Sequence, residues 1–200
     1  MNQLAYQVTV QPATEPFTLA EAKERMEVEA SSTLDDDYIT DLIVAARQAA
    51  ENYTNRAFFT QTVKQSFEGF PEICKVTPKG EFVLAKNQVQ SIVSITYTDE
   101  AGAEVVLDAA AVLLSYRLNN IIEPARLQLK SDKSHPSIEA GSNVVVEYVA
   151  GWTSIDKVPA VVKQAMVFWM REAFDNVGNP PSMKVSAFER ALSFYKIEWI

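Results

Sequence analysis

Asp35-Asp36-Asp37-Tyr38-Ile39-Thr40-Asp41-Leu42-Ile43-Val44-Ala45-Ala46-Arg47-Gln48-Ala49-Ala50-Glu51-Asn52-Tyr53 is the stretch from which the rest of the chain is best read. Ile39, Leu42, Ile43, Ala46, Ala50 and Tyr53 return every three or four positions, which puts them on one face of a helix and predicts a helix over 35–53. Three aspartates open it, where carboxylates meet unsatisfied amides and the positive end of the helix dipole, each contributing about 0.3–1 kcal/mol. A helix with a single apolar stripe is stable only against a partner. The flanking sequence must therefore supply one.

Upstream, Thr18-Leu19-Ala20-Glu21 has the form of a capping box, and Phe17 is placed to staple onto Ala22. A short helix follows, to about Met26 or Val28, with Leu19, Ala22 and Met26 as its apolar stripe. Pro12 and Pro16 enforce an extended entry into it. The first ten residues alternate weakly and predict a short strand or an arm that docks on a neighbour.

Downstream the period changes. From Gln61 to Val149 short β-branched and aromatic runs alternate with Pro, Gly, Asn and Asp, predicting at least five strands. They are placed at 62–67, 81–84, 89–98, 104–107 and 143–149, with a weaker one at 127–130. Asp99-Glu100-Ala101-Gly102 supplies turn chemistry for a hairpin between two of them. Pro159 then opens a helix in which Val161, Val162, Ala165, Met166, Phe168, Trp169, Ala173 and Phe174 are apolar around much of the circumference. Gly178-Asn179-Pro180-Pro181 stops it, and a last helix is expected near 183–196.

The sum is an α+β protein with a helical core formed by N- and C-terminal helices and an inserted β-rich subdomain. Residues 1–60 form the arm and first helices, 61–152 the β-rich insertion, and 153–200 the C-terminal helices that pack with the first ones.

Chemistry is sparse. Cys74 is the only cysteine, which excludes an internal disulfide and a Cys-rich zinc site, and reads as an apolar thiol. His135, the only histidine, stands in Ser134-His135-Pro136 with no second ligand nearby and reads as a loop residue. Six glycines form no phosphate-binding loop, and no nucleophile elbow or zinc-protease motif occurs. No cofactor is expected. The opening residues lack the basic and apolar regions of a signal peptide, and no run of apolar residues is long enough to span a membrane.

Charge is the stronger signal. With 18 basic and 26 acidic residues the net charge is −8, and no window is basic enough to neutralise a row of phosphates. Ten acidic residues against four basic ones precede residue 61, so most of the excess lies on the first helices. Asp35, Asp36, Asp37 and Asp41 are a solvated face in the plain reading; in the sharper reading they form an acidic rim or channel surface that DNA passes without sticking. Successive helical residues point 100° apart, so the three adjacent aspartates do not converge on one metal ion, although Asp37 and Asp41 share a face. Phe188, Phe194 and Tyr195 either fold back on the core or form an interface together with Trp199 and Ile200 at the chain end.

Several phrases taken in order resemble the head-tail connector (adaptor) family of tailed bacteriophages. They are Glu15-Pro16-Phe17-Thr18-Leu19-Ala20-Glu21-Ala22-Lys23, Asp35-Asp36-Asp37-Tyr38-Ile39, Ala45-Ala46-Arg47 followed by Glu51-Asn52-Tyr53-Thr54-Asn55-Arg56, Val89 to Tyr97, Val145 to Gly151, and Val158 to Ala165. The resemblance implies a non-enzymatic subunit of the virion neck, assembled in the host cytoplasm and closing into a ring of about twelve copies. One face would meet the portal protein and the other a head-completion or tail protein, with DNA passing through unread. A stopper or tail terminator of the same neck is the alternative, and a metal-dependent nuclease using Asp35 to Asp41 a more distant one. The tail Tyr195-Lys196-Ile197-Glu198-Trp199-Ile200 departs from the basic ending common in that family.

Overall fold

The computed structural model describes residues 3–71, 80–108, 113–116, 123–130, 134–176 and 187–197. The chain divides into two compact units, each assembled from separated segments. One is helical and comprises residues 12–59 and 152–196; the other is built on strands and comprises 1–11, 60–151 and 197–200. Both helical and strand content are substantial, an α+β architecture as the changing period predicts.

In the helical unit, α1 (Leu19–Met26) begins as expected. The Thr18 hydroxyl accepts from the Glu21 amide at 3.3 Å, and the Glu21 carboxylate accepts from the Thr18 amide at 2.8 Å. Phe17 and Ala22 are both buried in the same core. The helix stops at Glu27, whose φ of 63° lets its amide reach back to the last carbonyls.

Helix α2 (Asp36–Thr54) buries Ile39, Leu42, Ile43, Ala46 and Ala50, the stripe read from the sequence. Helix α3 (Ala160–Asp175) buries Val162, Ala165, Met166, Val167 and Met170 and packs against α1 and α2. Its apolar circumference is only partly used, because Val161 and Phe168 stay exposed. Helix α4 (Ala187–Leu192) continues as one 3-10 turn, Ser193–Tyr195, so the last helical segment ends within a residue of the expected 196 but closes with a tighter turn. Its expected start, at 183, lies outside the described residues. Among the described residues no helix is long and apolar enough to cross a membrane.

In the other unit, a five-stranded antiparallel sheet has the order β1-β2-β8-β4-β5, and a three-stranded one the order β3-β7-β6. The strands are β1 (Gln3–Val10), β2 (Gln61–Phe67), β3 (Glu81–Val83), β4 (Val89–Thr98), β5 (Glu104–Leu107), β6 (Leu113–Tyr116), β7 (Arg126–Leu129) and β8 (Val144–Ala150). Strand β8 lies at the centre, alternating buried and half-buried residues along its length. Val63 and Tyr148 face each other across the β2–β8 ladder, and Ile95 lies opposite both Val146 and Leu107, all on the buried face.

The first residues form edge strand β1 on β2, Tyr6 opposite Gln65 and Val8 opposite Val63. The strand unit thus takes in residues from before the first helix as well as the segment between the helices. Strand β6 was not anticipated, because the preceding Ala109-Ala110-Ala111 run carries little strand propensity. The β4–β5 hairpin closes as predicted: Asp99 Oδ1 accepts from the Ala101 and Ala103 amides, both at 2.9 Å, and Gly102 takes φ +81°.

Candidate functional site

The helical unit buries Arg47, only 2% exposed, on the apolar face of α2. Its Nε and Nη2 donate to the two oxygens of Glu15, at 2.7 and 3.1 Å, and Nη1 donates to Glu51 Oε2 at 3.0 Å. The other Glu51 oxygen accepts from the Phe58 amide at 2.7 Å and more loosely from that of Phe59. One guanidinium therefore pins the entry segment at Glu15 to α2, and one carboxylate pins the exit segment at 58–59 to the same helix. Burial pulls the Arg47 pKa down, but the Glu15 hydrogen bond and the Glu51 charge outweigh it and hold it above its ordinary value.

Arg56, two residues beyond the end of α2 and fully buried, donates from Nε to the Tyr195 carbonyl at 2.5 Å. Burial lowers its pKa to about 10, which still leaves it protonated at neutral pH. Neither arginine was singled out in the sequence. The signal was present for one of them: Arg47 and Glu51 occupy positions i and i+4 on the stripe that runs from Ile43 to Ala50, where solvated charges do not belong.

The four aspartates do not act alike. Asp36 pairs with the buried Lys23, whose Nζ also donates to the Ser32 carbonyl at 2.6 Å, so this carboxylate fastens α1 to the start of α2. Asp35 is half-buried, Asp37 and Asp41 are exposed, and among the described residues these three enter no ion pair. No group of three His, Cys, Asp or Glu among the described residues is arranged to hold a metal ion.

The aromatic residues near the C-terminus also separate. Phe188 is buried with its ring 5.8 Å from that of Tyr53, and Tyr195 is half-buried. Phe194 is 68% exposed, its ring edge-on to Tyr195 at 5.6 Å. Lys196 lies over the Tyr53 ring at 5.5 Å. Trp199 and Ile200 lie outside the described residues, as does Cys74.

In the strand unit, buried polar side chains substitute for missing ladder bonds. Gln65 donates to the Val83 carbonyl at 3.1 Å and accepts from the Ala85 amide at 2.8 Å. The Tyr148 hydroxyl accepts from the Lys86 amide at 3.1 Å, and burial raises its pKa well above that of an ordinary tyrosine. Asn87 donates to the Glu123 carbonyl at 2.7 Å and accepts from the Ala125 amide. These bonds tie the 83–87 segment into place. His135, read as a loop residue, stacks on Phe70 at 4.7 Å between ring centres; burial lowers its pKa against a hydrogen bond to Pro71 that opposes the shift.

The buried polar groups around Glu51, Gln65 and Asn87 are thus engaged in holding backbone segments together. They stand on an α+β frame with acidic side chains exposed at the start of α2. The chain belongs to the phage gp6-like head-tail connector family, whose description matches residues 16–126, from the entry of α1 to the start of β7.

Solved structures share the fold. A chain in the neck of an empty gene transfer agent (GTA) particle, computed with C6 symmetry, superposes with a TM-score of 0.76 at 14% identity, covering 98% of each chain. A chain in the virion of the native GTA particle gives the same score and identity, covering 98% of this chain and 97% of that one. A third, in the native GTA neck computed with C12 symmetry, gives 0.63 at 14% identity over 96% of this chain and 97% of that one. No curated protein sequence matches this one.

Proposed function

We propose that the chain is a neck subunit of a phage-like particle that closes with its copies into a ring between the portal and the tail-proximal completion proteins, and that it works by binding alone, without bond chemistry. Membership of the head-tail connector family is the observation that carries this reading. The fold shared with chains of GTA necks, determined with C6 and C12 symmetry, supports a ring in which each copy meets its neighbours through unlike surfaces. Phe194 and Tyr195, with Trp199 and Ile200 after them in the sequence, grip a neighbour, while Phe188 is buried against Tyr53 and anchors the helix that leads to them. Asp35, Asp37 and Asp41, with the other acidic residues of the first helices, give this end of the subunit its negative charge, which serves a rim or channel surface that DNA passes without sticking wherever it is left uncovered in the ring.

Light scattering on a sizing column, over a wide concentration range and with or without the purified cognate portal, tests the reading. A ring of stoichiometric mass on the portal is expected. A chain that stays monomeric and ignores the portal under all conditions overturns it.

A further inference from the structure

Leu34 and Phe194, at 90% and 68%, are the two most exposed large apolar side chains among the described residues, and both belong to the helical unit. Single exposed apolar residues are ordinary. These two are set apart by where they sit and by the charges around them.

Leu34 precedes the N-cap of α2, half-buried Asp35, and exposed Asp37 and Asp41 follow in the first two turns of the helix. At this end Tyr38 stacks on Phe174 and its hydroxyl donates to the Ala173 carbonyl, which fixes the start of α2 beside the end of α3. Phe194 lies at the opposite end of α2. The segment that carries it is held there by Arg56 on the Tyr195 carbonyl, by Phe188 against Tyr53, and by Lys196 over the Tyr53 ring. The exposed charges flanking Phe194 are Arg190 and Lys196, while the one acid of the same short helix, Glu189, is half-buried.

The 19 residues of α2 span about 28 Å at 1.5 Å per residue, so a chain cannot bring its own two ends together. One end offers an apolar anchor within carboxylates, and the other an apolar anchor within cations. Such complementarity selects a partner carrying the opposite end, and a second copy of this chain carries it.

We infer that copies of this chain join head to tail, the Phe194 segment of one with its Arg190 and Lys196 seating on Leu34, Asp37 and Asp41 at the start of α2 in the next. The inference deepens the ring reading and rests on it. Asp37 and Asp41 then serve the seam between copies, while exposed Glu21 and Glu24 of α1 stay on the negative surface.

Two variants test it: Asp37→Lys with Asp41→Lys, and Arg190→Glu with Lys196→Glu. Each is first checked for wild-type helical content by circular dichroism, then followed by light scattering alone and on the portal. Each variant by itself pits like charges against each other at every seam, and its association is expected to weaken by about ten-fold or more. Mixed in equal amounts, the two restore opposite charges at every seam, and assembly returns with the two alternating.

Variants that assemble as the wild type does, or a mixture that stays dissociated, overturn the head-to-tail seam and leave the ring reading intact. Wild-type association that stops at a dimer on the portal as well as alone overturns both the seam and the ring reading, because a two-fold pairing of the ends closes no larger ring. A wild-type chain that never associates under any condition overturns the ring reading itself, and the seam with it.

Discussion

Replacing Arg47 by Met keeps much of the side-chain volume and removes the guanidinium from a site only 2% exposed. Three charged hydrogen bonds disappear, two to Glu15 and one to Glu51. The two carboxylates left behind are not equivalent. The Glu15 side chain is 29% exposed and rehydrates at small cost, whereas the Glu51 side chain, at 5%, stays in the interior with its countercharge gone. Breaking a buried pair from one side costs about 3–5 kcal/mol, a large fraction of the roughly 5–15 kcal/mol that holds a domain folded. Urea denaturation followed by far-ultraviolet circular dichroism should register that loss as an earlier midpoint with an unchanged slope. Adding Glu51→Gln to the Arg47→Met chain removes the stranded charge and keeps an oxygen for the Phe58 amide, so part of the stability returns. A loss below about 1 kcal/mol for Arg47→Met, or no recovery in the double variant, would refute the view that Arg47 is held by charge rather than by packing.

Thr18→Ala removes the acceptor for the Glu21 amide, and a loss of about 1 kcal/mol is expected by urea denaturation. The Glu21 pKa is lowered, first by the Thr18 backbone hydrogen bond, so its contribution is present above the ordinary value of 4.5 and lost as pH falls through the folded value; acid titration of wild type against Glu21→Gln should show it. His135 is also depressed, so its neutral form belongs to the fold: stability should decline as pH drops below 6.5, and His135→Phe, which keeps the stack on Phe70, should flatten that decline between pH 7 and 5. Gly102→Ala meets no atom within 4 Å yet must hold a φ of +81°, so a loss of about 1 kcal/mol comes from the backbone alone and appears as an earlier thermal midpoint.

What was legible in the sequence follows from which forces act locally. The stripe from Ile39 to Ala50, the Thr18 cap and the Asp99 turn are each set by residues a few positions apart, and each appears in the structure where the pattern puts it. The pairing of residues 3–10 with β2 depends on partners more than fifty positions away, which no local period reveals. Arg47 belongs to a phrase shared with the connector family, but its place on an apolar stripe is what marks it as a buried charge in need of partners. Among the acids, charge alone did not distinguish Asp36, tied to buried Lys23, from exposed Asp37. Phe188 and Phe194 have opposite exposures because six helical residues set them about 120° apart around the axis, so one faces the core and the other does not.

The central position of β8 has a consequence for how the chain is made. Strand β2 leaves the ribosome early, yet its ladder on β8 pairs Gln65 with Val146, and the sheet has no middle until the segment ending at Ala150 has emerged. The helical unit waits as well, because α1 and α2 bury their stripe against α3, which begins at Ala160. Long-range pairings of this kind make folding slow and late. A chain broken off by premature termination before residue 144 therefore lacks both the middle of the sheet and the partner of its first helices, and is material for proteases rather than a defective subunit.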